Sequence, residues 1–317
     1  MNAQAASAGA KILPSLEELR NISARDGVDA ATTFLYRAMR DAPRYESFID
    51  TIQAPSRETE SCAPPGDVKL VIVPGAFYRE HPRSGADGRI VREQAERLGW
   101  PIDLIPVAST GSILENARTI CHWLAERRDS RIVLVSLSKG GSDLKLALQQ
   151  PGAKHAFERV ISWINLCGIL NGTPMADWML SRRVGAVLNR LYYRMLGVSL
   201  EFLRDLRREP GCLLDFALEI PAHLQMITVV AFPLRRHLTS AMARRCHSRL
   251  GAYGPNDGVI VLADACALPG LIYPVWGADH YLRSGEDMKR LLGAILGFVG
   301  QDLAACKPAR SITHANG

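Results

Sequence analysis

The stretch RIVLVSLSKGGSDLKLALQQ, residues 131–150, changes character in its middle. Its first half is rich in Ile, Val and Leu, which pack well on a pleated surface, and reads as a buried strand. Its second half places Leu144, Ala147 and Leu148 at helical spacing. Almost no loop separates the two. A strand-to-helix turn this tight leaves one side chain exposed at its apex. The residue there is Ser138, in a position suited to a nucleophile.

The same alternation extends in both directions. KLVIVPGAF, from Lys69, is a strand ending at Pro74-Gly75, followed by a helix in DGRIVREQAERLGW and a strand in PIDLIPVAS. The next helix opens at Ser112, with Glu115 three residues on as a capping box, and carries Ile113, Ala117, Ile120 and Leu124 on one face. RVISWINLCGI (159–169), QMITVVAFPL (225–234) and LIYPVWG (271–277) are further strands. EDMKRLLGAILGFV is a closing helix, with Ser284 and Asp287 at capping spacing. Strands that are continuously apolar rather than alternating are covered on both faces, which predicts an α/β fold with a mostly parallel central sheet between helices. Residues 1–60 read as an N-terminal helical extension and linker, and 61–305 as the core. Within the core, 170–222 is a helical insert with seven arginines and three acidic residues over 181–210. It reads equally as a lid over a site and as a surface helix pair with a solvated basic face.

The chain has 317 residues, 47% hydrophobic, enough for a sizeable core. The formal charge of +6 is a mild excess, and neither the insert nor the basic segment RRHLTSAMARRCHSR (235–249) matches a nucleic-acid reading motif, so that class is disfavoured. Seven cysteines form no CxxC pair and no zinc pattern, and read as reduced thiols. The start, MNAQAASAGAKILPSLEELR, has no basic leader, and no stretch reaches transmembrane length. A soluble, cytoplasmic setting is the expectation.

A serine hydroxyl is a weak nucleophile at neutral pH. It needs a base within hydrogen-bond reach, and the base needs an orienting acid. In an open parallel sheet these groups belong at the carboxyl ends of the strands. WGADHYLRS (276–284) offers His280 between the last strand and the last helix, and AYGPNDGVIV (252–261) offers Asp257 in a turn-rich segment. Asp143 and Asp264 compete as acids, and Asp279 is too close in sequence to His280 to reach it without folding back. The plain alternatives are that Ser138 caps its helix, Asp257 stabilises a turn and His280 is a surface residue.

These residues resemble the α/β-hydrolases of the serine esterase and lipase superfamily over roughly residues 68–300. SLSKG (136–140) matches the GxSxG nucleophile elbow, with Ser136 replacing the first Gly at the expected cost of slight strain. NDGVI (256–260) resembles the segment that carries the acid in bacterial lipases, and Asp279-His280 resembles their histidine segment. The order Ser138, Asp257, His280 is the order of that superfamily. The resemblance implies an oxyanion hole made by the N–H of Lys139 and by that of Ala76 or Phe77, in the loop PGAFYREHP, with the Lys139 side chain free to face solvent. It implies an acyl-enzyme mechanism with no metal and no cofactor.

Tyr78, Trp178, Leu191 and Tyr192 are candidates to line a substrate pocket, and equally candidates for packing. The arginines of the insert could hold a substrate carboxylate or phosphate. The expected substrate is a small-molecule or lipid ester. A thioesterase or acyltransferase working on an acyl carrier would use the same triad, and a non-catalytic binding or scaffold protein of the same fold is the rival class.

Overall fold

A computed structural model describes residues 13–54, 64, 66–127, 130–181, 201–283 and 287–305. Its centre is a six-stranded sheet, all parallel, in the order β2-β1-β3-β4-β5-β6. The strands are β1 (Val68–Val73), β2 (Ile102–Leu104), β3 (Arg131–Leu137), β4 (Val160–Leu166), β5 (Gln225–Phe232) and β6 (Leu271–Trp276). β1 and β3 lie side by side while the chain between them visits the edge at β2. The strand order therefore reverses at the β1/β3 seam, where a crevice opens at the carboxyl ends.

The inner strands are buried along almost their whole length, as their unbroken apolar sequences demand. β2 is much shorter than PIDLIPVAS suggested, because Pro106 has no N–H to continue a ladder. β6 contains Pro274, which an edge strand accommodates.

Helices α1 (Leu16–Asp26), α2 (Val28–Arg40) and α3 (Pro43–Gln53) precede the sheet. They bury Leu19, Leu35, Met39, Tyr45 and Ile49 in the same hydrophobic core as the strands. Tyr36 packs against Phe232 and Trp276, and Phe48 against Tyr273 and Phe298. α4 (Arg89–Arg97) and α5 (Ile113–Glu126) follow β1 and β2. The Ser112 side chain caps α5 by accepting from Glu115 N at 3.2 Å. α6 (Lys139–Ala147) and α7 (Ala153–Ala156) lie between β3 and β4. The insert contributes α8 (Pro174–Ser181) and α9 (Glu201–Asp205). α10 (Ala241–Leu250), α11 (Leu262–Cys266) and α12 (Met288–Ala305) complete the chain. Asp287 caps α12 through Lys289 N at 2.9 Å, whereas Ser284 lies outside the described residues. No described helix is long and apolar enough to cross a membrane.

Candidate active site

Ser138 sits at the carboxyl end of β3 with φ 48° and ψ −115°, a conformation that L-residues avoid. Such a turn costs of the order of 1–3 kcal/mol and persists only when its surroundings over-determine it. Here the Ser138 N–H donates to Leu166 O at 3.1 Å, and its carbonyl accepts from Gly141 N at 3.0 Å and Ile169 N at 3.1 Å. The glycines that follow are required by space. A Cβ on Gly140 would lie 2.5 Å from Val73 O, and one on Gly141 would lie 2.8 Å from Asn165 Oδ1. The helix can therefore approach β1 and β4 closely enough to present Ser138 at its apex. The Ser138 side chain makes no capping bond to that helix.

The expected strain at Ser136 is replaced by use of its side chain. Its φ lies outside the left-handed region, and its buried hydroxyl donates to Asn165 Oδ1 at 3.1 Å and accepts from the Trp163 indole at 2.8 Å.

The structure brings Ser138, His280 and Asp257 together. Ser138 Oγ is 2.9 Å from His280 Nε2, and His280 Nδ1 is 2.7 Å from Asp257 Oδ2. His280 and Asp257 are buried. The other carboxylate oxygen, Asp257 Oδ1, accepts from Val259 N at 2.8 Å and Ile260 N at 2.7 Å, so the acid cannot rotate away from the imidazole. The neighbouring Asn256 is buried and ties its own turn through Gly258 N, His247 O and Gly254 O. The rival acids are engaged elsewhere. Asp264 pairs with Arg208 at 2.7 Å, Asp279 with Arg283 at 2.8 Å, and Asp143 with Lys139 at 2.9 Å.

That last pair corrects the expectation for Lys139, whose side chain does not face solvent. It is 1% exposed and lies inside the protein against Asp143. Burial pushes the Asp143 carboxyl up to about 6, against the opposing pull of Lys139 and Asn116.

A cavity of about 270 Å³ opens in front of Ser138 and His280. Ala76 and Phe77 line it, and Phe77 has φ 60° in the loop after β1. Tyr78 does not line it. Its hydroxyl donates to Val107 O at 2.9 Å, and its ring is buried as packing. Trp178 does not line it either, and faces a separate cavity of about 720 Å³ together with Arg204, Arg207 and Arg249. Leu191 and Tyr192 lie outside the described residues. The insert instead supplies Met175 and Met179 from α8 and Phe202 and Leu206 from the α9 segment. Their four-residue spacings, 175/179 and 202/206, were the sequence signal for them, masked by more prominent aromatic residues between. None of the described lining residues is Asp, Glu, Lys or Arg. Two of the insert's arginines, Arg207 and Arg208, pair with Asp177 and Asp264.

Among the described residues no group of three or more His, Cys, Asp or Glu could hold a metal ion. Cys121, Cys167, Cys212, Cys246 and Cys266 are free thiols. Burial pushes Cys121 up to about 11, and Cys167 and Cys266 upward as well, which disfavours their thiolate forms.

No protein-family model matches the chain, and no curated protein matches it in sequence. Solved structures do. The metagenomic carboxyl esterase MGS0156 is 24% identical, with 75% of this chain and 76% of that one covered and a TM-score of 0.56. The mature form of the Bacillus licheniformis lipase BlEst2 is 19% identical, with 79% and 94% covered and a TM-score of 0.52. The chain has the α/β-hydrolase fold.

Proposed function

We propose that the protein is a serine hydrolase that cleaves carboxylic esters with an uncharged, apolar acyl group. The observation that carries this assignment is the continuous Ser138–His280–Asp257 hydrogen-bond chain at the floor of an apolar cavity. The likeness of the fold to a carboxyl esterase and a lipase points the same way.

His280 Nε2 takes the proton of Ser138 Oγ as that oxygen attacks the ester carbonyl carbon. Asp257 holds the Nδ1–H tautomer and stabilises the imidazolium. The oxyanion is received by the N–H of Lys139 and by that of Ala76 or Phe77. Gly75 is not a donor, because its N–H is committed to Ala86 O at 2.8 Å. The leaving alcohol departs with the proton from His280. A water activated by the same base then attacks the acyl-enzyme and releases the acid.

The insert helices α8 and α9 wall the acyl site and exclude water from it, which strengthens the oxyanion contacts. The cavity of about 270 Å³ lies at the lower end of small-molecule pocket volumes, which suits a short to medium acyl chain.

A serine-directed fluorophosphonate on the purified protein is the test, with the adduct mapped by peptide mass. Labelling is expected at Ser138, and Ser138→Ala should melt like the parent yet lose nearly all hydrolysis of p-nitrophenyl butyrate. A mutant as active as the parent, or an adduct on another residue, would sink the assignment.

A further inference from the structure

Lys139 follows the nucleophile and opens α6, and its ammonium is sealed inside the protein. It donates to both carboxylate oxygens of Asp143, one turn along, at 2.9 and 3.0 Å. Asp143 Oδ2 also accepts from Asn116 Nδ2 at 3.0 Å. Asn116, in the first turn of α5, clasps the backbone of Ala108 on both sides: its Oδ1 accepts from Ala108 N at 2.9 Å and its Nδ2 donates to Ala108 O at 3.0 Å.

The residues flanking Ala108 reach the other half of the site. Val107 O accepts from the Tyr78 hydroxyl, and Ser109 Oγ donates to Glu80 Oε2 at 2.5 Å. Tyr78 and Glu80 belong to the loop that carries Ala76 and Phe77. The insert is tied to the same place, since Asp205 accepts from Ile113 N at 2.8 Å. One short segment, Val107 to Asn116, therefore braces the elbow helix, the loop after β1 and the insert.

A buried ion pair is a poor way to gain stability. The desolvation of two charges can exceed their attraction, and apolar residues of similar volume often do as well or better. The upward displacement of the Asp143 carboxyl says the same of this pair, because burial outweighs three hydrogen bonds to it. What an ion pair supplies and an apolar pair does not is a fixed direction.

We propose that the buried Lys139–Asp143–Asn116 chain is a positioning device that holds the two halves of the oxyanion hole in register, aiming the Lys139 N–H and the Ala76/Phe77 amides at one point. This rests on the hydrolase assignment above. The three side chains touch no substrate and act through the backbone of Lys139 and of the loop after β1. Oxyanion donors are worth about a hundredfold to a thousandfold in kcat each, and misplacement by about 1 Å costs up to about a hundredfold.

The test is the double variant Lys139→Met with Asp143→Leu, which removes both charges and keeps the volume filled. Asn116→Ala is the second variant, in case the first does not fold. Active sites are counted by fluorophosphonate titration, so only competent enzyme enters kcat. Expected are a melting temperature within a few degrees of the parent's for the double variant, because the buried Asn116 N–H left without Asp143 offsets what removal of the charges gains, a KM within about threefold, and a kcat lower by about tenfold or more. A trifluoromethyl ketone, whose adduct with Ser138 places an oxyanion in the hole, should bind more weakly by a similar factor. A folded double variant with parental kcat and parental ketone affinity would overturn the proposal, as would Asn116→Ala with the same two values. Failure of the hydrolase assignment is distinguishable, because then the parent itself would neither take the probe at Ser138 nor turn over ester.

Discussion

Asp257→Asn is the substitution whose outcome the geometry specifies most fully. Asp257 Oδ1 accepts two backbone hydrogen bonds, from Val259 N at 2.8 Å and Ile260 N at 2.7 Å. An asparagine at this position must keep its carbonyl oxygen there, since turning the amide over would set an NH2 against two N–H donors. Its NH2 group then occupies the place of Oδ2, 2.7 Å from His280 Nδ1. Only an unprotonated Nδ1 accepts that hydrogen bond, so the imidazole proton moves to Nε2. Nε2 lies 2.9 Å from Ser138 Oγ and in this tautomer faces it as a donor. Under the proposed mechanism the base is blocked by its own proton, although no atom has moved. The equivalent tautomer error in a serine protease costs about ten-thousand-fold in kcat, or roughly 5.5 kcal/mol of transition-state stabilisation. The same loss is expected here, with KM for p-nitrophenyl butyrate little changed and the melting temperature within a few degrees of the parent's. Steady-state kinetics beside a thermal melt measures both. A folded Asp257→Asn enzyme within about tenfold of the parent would refute the tautomer reasoning and with it the role given to Asp257.

Two further outcomes follow from packing and from charge. In Gly140→Ala the new methyl would meet Val73 O at 2.5 Å and Pro74 O at 2.7 Å, both backbone atoms that cannot turn aside. A loss of about 1–3 kcal/mol in urea unfolding is expected, together with lower activity as the loop after β1 is displaced, and unchanged stability would show that α6 can retreat. Lys145 is fully buried, and burial pushes its ammonium down to about 8 although it donates to Asn171 Oδ1 and Leu214 O. Between that value and the unfolded 10.5 the unfolded chain binds one more proton than the folded one. Stability from this group therefore rises with pH across the window and is absent below about 8, to a limit of about 3 kcal/mol. Urea unfolding of the parent and of Lys145→Met at about pH 8 and about pH 10 should show the parent gaining on the variant, and a gap independent of pH would contradict the shift.

The sheet was legible because its signals are local. Runs such as KLVIVPGAF and RIVLVSLS need no distant partner to declare themselves strands, and the Ser112 cap is written within four residues. The turn chemistry at Ser138, Asp257 and His280 was legible for the same reason, since each lies in a short loop immediately after or before a recognisable element. What stayed hidden depends on pairs far apart in the chain. Lys139 and Asp143 are one turn apart and within reach of helical spacing, but that both side chains turn inward depends on Asn116 on another helix. Trp178 is the larger aromatic residue, yet the side chains that reach the cavity in front of Ser138 are the plainer Met175, Met179, Phe202 and Leu206. Helical spacing identifies which residues share a face but not what that face meets.

Ser136 carries a consequence for how this chain can change. Its hydroxyl satisfies the buried Trp163 indole N–H and is itself held by Asn165. Restoring the glycine that the elbow pattern usually has at this position would strand that indole donor in a dry core, at a cost of about 1–3 kcal/mol. Removing Trp163 first would leave a void beside the strand that ends at Ser138. Position 163 thus depends on position 136: the buried indole is tolerated because the Ser136 hydroxyl accepts from it, whereas Ser136 keeps its bond to Asn165 in either case. While Trp163 is kept, position 136 is committed to a residue that can accept its indole N–H, and a redesign that regularises the motif must rewrite both strands at once.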